Sequence, residues 1–163
     1  MTRHDAPWGR QLIIVSGFAS FICVATAGLM LQGPAAGSAA GLLAGLLPLL
    51  ILAGATLFMV RGYVVADGEL RVMRPLWQTR LPLAGLRAVE VLPDAMRASV
   101  RTWGNGGLFS YTGRYRNRAL GPYQAWVNDM NRTVVLRFAE RTLVVSPADP
   151  EAFAQEIRRQ VTA

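Results

Sequence analysis

Two long apolar segments without a single charged residue constrain this chain most strongly. They run from Gln11 to Leu31 and from Ala39 to Val60. As helices rising about 1.5 Å per residue, each would reach roughly 30 Å, the thickness of the hydrocarbon core of a bilayer. A backbone in lipid must satisfy its own hydrogen bonds, and a short connection over residues 32–38 leaves room only for a turn back. The sequence therefore predicts a transmembrane helical hairpin in residues 1–61, with the lipid bilayer as its first partner.

The distribution of arginine predicts how this hairpin is oriented. The chain has 17 basic residues, all of them Arg. Arg3 and Arg10 precede the first segment and Arg61 follows the second, whereas the connection carries none. The positive-inside bias then places both termini in the cytoplasm. A cleaved signal peptide over the first segment is the competing interpretation, and the second apolar segment that follows at once disfavours it.

Small residues indicate how the hairpin packs. Glycines spaced four residues apart precede and begin the second segment. This spacing places them on one face of a helix, where a partner helix can come close. The first segment is the nearest partner, and a subunit of another membrane protein is the alternative. Neither segment contains an ionisable residue in a position to carry protons or ions, so the hairpin is predicted to be an anchor. The glycines are Gly33, Gly37, Gly41 and Gly45.

Residues 62–163 are predicted to form a separate domain. This part of the protein is basic, since the chain beyond Val60 carries 15 Arg against nine Asp or Glu. Asp67-Gly68 between alternating β-forming residues predicts a tight hairpin. Further short strand patterns follow without helices between them, which favours an antiparallel sheet or barrel. Asp149, Pro150 and Glu151 then mark the start of a C-terminal helix. The further strand patterns are Trp77–Leu81, Leu86–Leu92, Tyr123–Val127, Thr133–Phe138 and Arg141–Val145.

Three stretches of this domain resemble the bacterial pleckstrin-homology (PH)-like domains. They are YVVADGELRVMRPLWQTRLPLAGLRAVEV, GNGGLFSYTGRYRNRALGPYQAWV and RTVVLRFAERTLVVSPADPEAFAQEIRR. The resemblance implies a membrane α-hairpin followed by an α+β PH-like domain, in which a bent antiparallel sheet or barrel of about seven strands is capped by the C-terminal helix. It also implies a binding or scaffold role at a bacterial inner membrane, with no catalytic residues and no cofactor. The resemblance implies no lipid-binding site in this chain. Related domains have a basic loop at the position of the Asp67-Gly68 turn, whereas here the acidic Glu69 stands beside it.

One glycine-rich, aromatic and basic stretch, residues 101–118, departs from the rest of the domain. Three interpretations are open for it. Its apolar side chains would dip into the membrane interface while its Arg residues meet lipid phosphates, or the stretch would contact another subunit, or its aromatics would fill the domain's own core. The candidate contact residues are Trp103, Leu108, Phe109, Tyr111, Arg114, Tyr115, Arg116 and Arg118.

The sequence contains no residue pattern typical of a catalytic or metal-binding site. The only His is His4, Cys23 lies within an apolar segment, and the carboxylates are scattered, whereas metal sites and nucleophile–base pairs need clusters. Nucleic acid is disfavoured for a domain that follows the membrane segment almost without a linker. The sequence thus predicts a noncatalytic membrane-anchored protein, an accessory or assembly subunit that contacts a neighbouring membrane protein. The alternative is a lipid-sensing module that binds anionic headgroups.

Overall fold

Two long apolar helices lie near the start of the chain, after a short first strand. The structure is a computed structural model that describes residues 2–34 and 36–162. Helix α1 (Arg10–Gln32) and helix α2 (Ala39–Leu57) pack against each other as an antiparallel hairpin. Only 17% and 11% of the most apolar window of each helix is buried. Most of their apolar side chains therefore face outward, and the two helices indicate membrane association. Met1, Ala35 and Ala163, which the predicted ranges include, lie outside the described residues.

Ten strands in two sheets form the rest of the described chain, together with a C-terminal helix. The first sheet has the order β1-β2-β3-β4 and is antiparallel. The second has the order β5-β9-β10-β8-β7-β6, and only β8 and β10 in it run parallel. The strands are β1 (Thr2–Asp5), β2 (Gly62–Ala66), β3 (Glu69–Met73), β4 (Gln78–Pro82), β5 (Leu86–Val91), β6 (Val100–Gly106), β7 (Tyr111–Asn117), β8 (Gly121–Val127), β9 (Val134–Phe138) and β10 (Thr142–Val145).

Two predicted features are confirmed in detail. Asp67 and Gly68 join β2 to β3 with φ angles of 54° and 69°, the left-handed pair that a two-residue hairpin requires. The C-terminal helix α3 (Pro150–Thr162) starts where expected, since the carboxylate of Asp149 accepts a hydrogen bond from the N–H of Ala152 at 2.9 Å. The predicted fold class, two apolar helices followed by a sheet-rich domain with a terminal helix, is therefore confirmed.

The hydrophobic core lies on both faces of the second sheet. On one face a cluster joins this sheet to the first sheet and to α3, whose Phe153 and Ile157 are fully buried. On the other face a smaller cluster includes Leu12 from the first turn of α1. The start of α1 is thus part of the core of the domain, which fixes the two parts to each other.

The structure differs from the sequence-based expectation in three respects. Thr2–Asp5, for which the sequence predicts no strand, pairs with β2 as an edge strand. The glycine-rich stretch forms the hairpin of β6 and β7, so that more strands are present than the seven or so expected. Within residues 2–34 and 36–162 the strands form two open sheets rather than a closed barrel, since no pairing joins the first sheet to the second.

Candidate functional site

The hairpin of β6 and β7 is held together by a close approach of two glycines. A Cβ atom on Gly113 would lie 2.2 Å from the carbonyl oxygen of Trp103, and one on Gly104 would lie 2.3 Å from that of Thr112. Both glycines have left-handed φ angles, 107° at Gly104 and 130° at Gly113. No larger residue fits such a backbone contact, which explains the glycines of this stretch physically.

The loop between β6 and β7 lies on the apolar helix α1. The hydroxyl of Ser16 donates to the carbonyl of Gly107 at 3.1 Å and accepts from the N–H of Phe109 at 2.9 Å. Ser16 is 2% exposed and is the seventh residue of α1, roughly 9 Å along the helix from Arg10. The Phe109 ring lies 6.0 Å from that of Trp8, which precedes the helix. The loop therefore docks against the apolar anchor rather than extending into solvent.

Asn105 shapes this loop from within. Its side-chain oxygen accepts hydrogen bonds from the N–H groups of Gly107 and Leu108, at 3.2 and 3.0 Å. Its side-chain nitrogen donates to the carbonyl of Leu108 at 2.6 Å. These contacts leave Leu108 and Phe109 half-buried against the hairpin.

Two of the candidate contact residues are core residues. Tyr111 and Tyr115 are each 5% exposed and belong to the smaller hydrophobic cluster, where the Tyr115 ring stacks on Tyr123 at 6.0 Å. The hydroxyl of Tyr115 donates to the carbonyl of Asn105. Burial raises the pKa of Tyr115 to about 12. Neither side chain is available to a partner.

The other face of the hairpin carries two exposed cross-strand pairs. Val100 stands opposite Arg116, and Trp103 stands opposite Arg114. Val100 and Trp103 are 68% and 78% exposed, and both arginines are exposed as well. Within the described residues neither arginine forms an ion pair. We call these four residues the β6–β7 face.

Arg118 is not part of the β6–β7 face. It is exposed in the turn between β7 and β8 and borders a cleft lined by residues of the 92–98 segment, including Asp94 and Arg97. The structure therefore brings together two of the three arginines that the sequence singled out.

The four candidate packing glycines divide into two pairs. Gly41 and Gly45 are buried in α2, and a Cβ on Gly45 would lie 2.6 Å from the Cγ atom of Leu31 on α1. Gly33 follows the end of α1, and Gly37 lies in the connection with open space beside it. The two helices thus approach each other closely at Gly45.

Asn128 is a structural residue that sequence reasoning missed. Its side-chain nitrogen donates to the carbonyls of Ala6 and Val60, at 2.9 and 2.8 Å, and its side-chain oxygen accepts from the hydroxyl of Ser110 at 2.9 Å. These contacts join the segment before α1, the segment after α2 and the start of β7. Asn128 follows a strand and carries no motif, so no local signal distinguishes it from an exposed turn residue.

Residues 2–34 and 36–162 contain no group of three or more His, Cys, Asp or Glu side chains placed to hold a metal ion. Glu90 instead pairs with Arg137 at 2.9 Å, and Asp67 pairs with Arg71 at 2.8 Å. These carboxylates have structural partners and do not converge on a cavity.

An open, two-sheet PH-like domain fixed to an apolar helical hairpin defines a membrane-associated binding module. The family model described as bacterial PH domain matches residues 61–161, more than half of the chain, and the chain belongs to this family. Domains of this kind are generally noncatalytic binding modules. No curated protein and no solved structure gives a significant match to the chain.

Proposed function

We propose that this protein is a noncatalytic, membrane-anchored accessory or assembly subunit whose PH-like domain docks a neighbouring membrane protein. The observation that carries the proposal is the β6–β7 face, where Trp103 and Val100 stand exposed beside two arginines that have no ion-pair partner among the described residues. Tryptophan and arginine are the residues most enriched among interface hot spots. A mixed aromatic and cationic surface of this kind suits a protein partner with an acidic, partly apolar patch.

The open edge of the second sheet supports the same function. β6 is the last strand in the order of that sheet, so one of its edges has no strand beside it. Unpaired edges are sites at which another chain can add a strand or dock side chains. The edge and the β6–β7 face adjoin, and a partner seated there would contact both.

The rigid link between domain and hairpin fits a subunit that positions a partner. Leu12 and Ser16 of α1 are buried against the domain, and only residues 58–61 separate α2 from β2. A binding surface held in one orientation loses little conformational freedom when a partner docks, which favours affinity. The docking surface would therefore stay at a fixed height beside the membrane.

Lipid headgroups are the alternative ligand for the two arginines, and the geometry disfavours them. The loop that touches α1 lies at one end of β7. Arg116 lies roughly 16 Å along the strand from Tyr111, which begins β7 beside that loop. The strand thus leads Arg116 away from the loop that contacts α1, and a protein reaching beyond the bilayer surface meets Arg116 more readily than a headgroup does. Arg114 lies nearer the helical hairpin, since it stands opposite Trp103, which also lines a groove beside the end of α2.

The proposed location is the bacterial inner membrane, with both termini in the cytoplasm. The flanking positions of Arg3, Arg10 and Arg61 support this orientation. Pairing of β1 with β2 supports a common side for the N-terminal segment and the domain, because the two strands flank the hairpin. Cysteines introduced at Thr2 and at Glu151 in a Cys23→Ser background should resist a membrane-impermeant maleimide in intact cells and react after permeabilisation. Labelling of either site in intact cells would contradict the orientation.

The docking proposal is tested by purifying the tagged full-length protein from its native membrane in a mild detergent. We expect a partner at constant stoichiometry. The double variant Arg114→Ala, Arg116→Ala should retain less than about a tenth of it, since loss of a hot-spot arginine costs about 2 kcal/mol or more. The matched control is Arg80→Ala, Arg87→Ala, which removes two exposed arginines elsewhere on the domain. Equal retention by both double variants, or absence of any stoichiometric protein, would count against the proposal.

A further inference from the structure

A groove separates the end of helix α2 from the sheets of the domain. Its volume is about 560 Å³, within the range of roughly 300–1,000 Å³ that small-molecule sites occupy. Gly54, Ala55 and Phe58 line it on the side of the helix, and Trp103, Leu108 and Trp126 are among the residues that line it on the side of the domain. Since Gly54 and Ala55 belong to an apolar, outward-facing helix, the groove adjoins the region that lipid occupies.

Arg74 supplies the charge of this groove. Its Nη1 atom donates to the carbonyl of Phe58 at 2.9 Å, and its guanidinium lies 5.8 and 5.7 Å from the centres of the Phe58 and Trp77 rings. Its Nε atom is buried and has no hydrogen-bond partner among the described residues. An arginine remains protonated at neutral pH, so a cation lines the groove beside aromatic side chains.

Among the described residues, none that lines the groove is acidic. Apart from Arg74, its polar lining includes the uncharged side chains of Thr79, Asn105, Thr112 and Gln124. The charge of Arg74 is therefore not neutralised inside the groove, and a complementary occupant would be anionic at this point. The apolar side chains that line the groove would be covered by a hydrocarbon chain. Charge and apolar lining together describe an amphiphile with an anionic head.

We propose that this groove binds one anionic phospholipid from the adjoining leaflet, with its phosphate on Arg74 and an acyl chain along Ala55, Phe58 and Leu108. Trp103 of the β6–β7 face also lines the groove, whereas Arg114 and Arg116 do not, and the inference goes beyond the proposed function. A bound lipid would fill the space between anchor and domain. The occupant is a lipid rather than free phosphate, because the apolar side chains of the groove gain from burial only if the ligand carries a chain.

The test uses the purified full-length protein, delipidated in detergent and titrated with phosphatidylglycerol, with native mass spectrometry as the readout. We expect one tightly retained phosphatidylglycerol per chain and weaker retention of phosphatidylcholine. Arg74→Gln should weaken phosphatidylglycerol binding about tenfold or more, because a hydrogen bond to a charged group is lost. Arg80→Gln, which removes an exposed arginine from the neighbouring strand, should leave binding unchanged.

A groove-filling variant and a competition with phosphate test the proposal independently of Arg74→Gln. Ala55→Trp should fill the groove without removing Arg74, and it should abolish binding even if Arg74→Gln proves too unstable to purify. Inorganic phosphate at millimolar concentration should fail to displace the lipid. Equal retention of both lipids, unchanged affinity in Arg74→Gln or Ala55→Trp, or displacement by phosphate alone would each overturn the proposal. Variants of Arg114 and Arg116 should bind the lipid normally, which separates this test from that of partner docking.

Discussion

The side-chain amide of Asn128 donates a hydrogen bond to the carbonyl oxygen of Val60 over 2.8 Å. Val60 follows the last turn of α2, and Asn128 follows β8. Both residues are almost completely inaccessible to solvent. The same amide also donates to Ala6, just ahead of α1, so one side chain holds both ends of the hairpin on the domain. The mutual position of anchor and domain therefore depends on polar contacts as well as on packing.

Asn128→Ala should lower the free energy of unfolding by about 2–4 kcal/mol, because the change leaves the buried carbonyls of Ala6 and Val60 without donors. Thermal unfolding of the full-length protein in detergent would measure this loss. Asn131→Ala is the matched control, since Asn131 is exposed in the neighbouring short 3-10 helix, and it should change stability by less than about 0.5 kcal/mol. Equal stabilities of the two variants would show that the Asn128 contacts contribute little.

Ser16→Ala should loosen the loop between β6 and β7 from the membrane helix. The change removes the donor to Gly107 and the acceptor for Phe109, at a cost of about 1–2 kcal/mol. Hydrogen exchange followed by mass spectrometry should show faster exchange over residues 106–110 than in the unaltered protein. Ser20→Ala, one helical turn further along α1, serves as the control. Unaltered protection of the loop in Ser16→Ala would mean that packing alone holds it on the helix.

Gly113→Ala should disrupt the hairpin of β6 and β7. The new methyl group would lie 2.2 Å from the Trp103 carbonyl, and strain and overpacking of this kind cost about 3 kcal/mol or more together. Gly121→Ala is a strict control, because Gly121 also has a positive φ angle, 68°, but has open space around it. It should cost only about 1 kcal/mol. Similar melting temperatures for the two alanine variants would contradict the importance of the close backbone approach.

Much of the fold could be predicted because its signals are local. The apolar runs, the Asp67-Gly68 turn and the Asp149 cap each declare themselves within a few residues, and each appears where expected. β1 carried no such signal, since a polar edge strand is made by its neighbour β2 rather than by its own pattern. The strands of the glycine-rich hairpin were not predicted either. Their glycines, which permit the close approach of the two backbones, lower the local strand propensity.

The candidate site was harder to predict than the fold. Sequence reasoning singled out a stretch of aromatic and basic residues but could not tell its two sides apart. Alternation along β7 places Tyr111 and Tyr115 in the core and Arg114 and Arg116 outside, and a shift of register by one residue would reverse this. Arg74 had no local signal, because its role depends on Phe58 and on strands that are distant in sequence. Sites assembled across elements need the tertiary structure.

The stability of the domain should fall at alkaline pH because of Tyr63. Its hydroxyl donates to the carbonyl of Trp126 at 2.6 Å and accepts from the N–H of Ser146 at 3.0 Å, and burial raises its pKa to about 12. An unfolded chain loses the tyrosine proton near pH 10, so the contribution of Tyr63 is complete below pH 10 and is lost between about pH 10 and 12. We expect a loss of roughly 2 kcal/mol from this group across that interval. Chemical unfolding at pH 8, 10 and 11.5 would measure it.

The variant Tyr63→Phe separates this contribution from other effects of alkaline pH. It should be less stable at pH 8, since a buried carbonyl loses its donor, yet it should lose less stability between pH 8 and pH 11.5. Some alkaline loss should persist in this variant because Tyr115 also has a raised pKa. Identical pH profiles for the two proteins would exclude Tyr63 as a source of the effect.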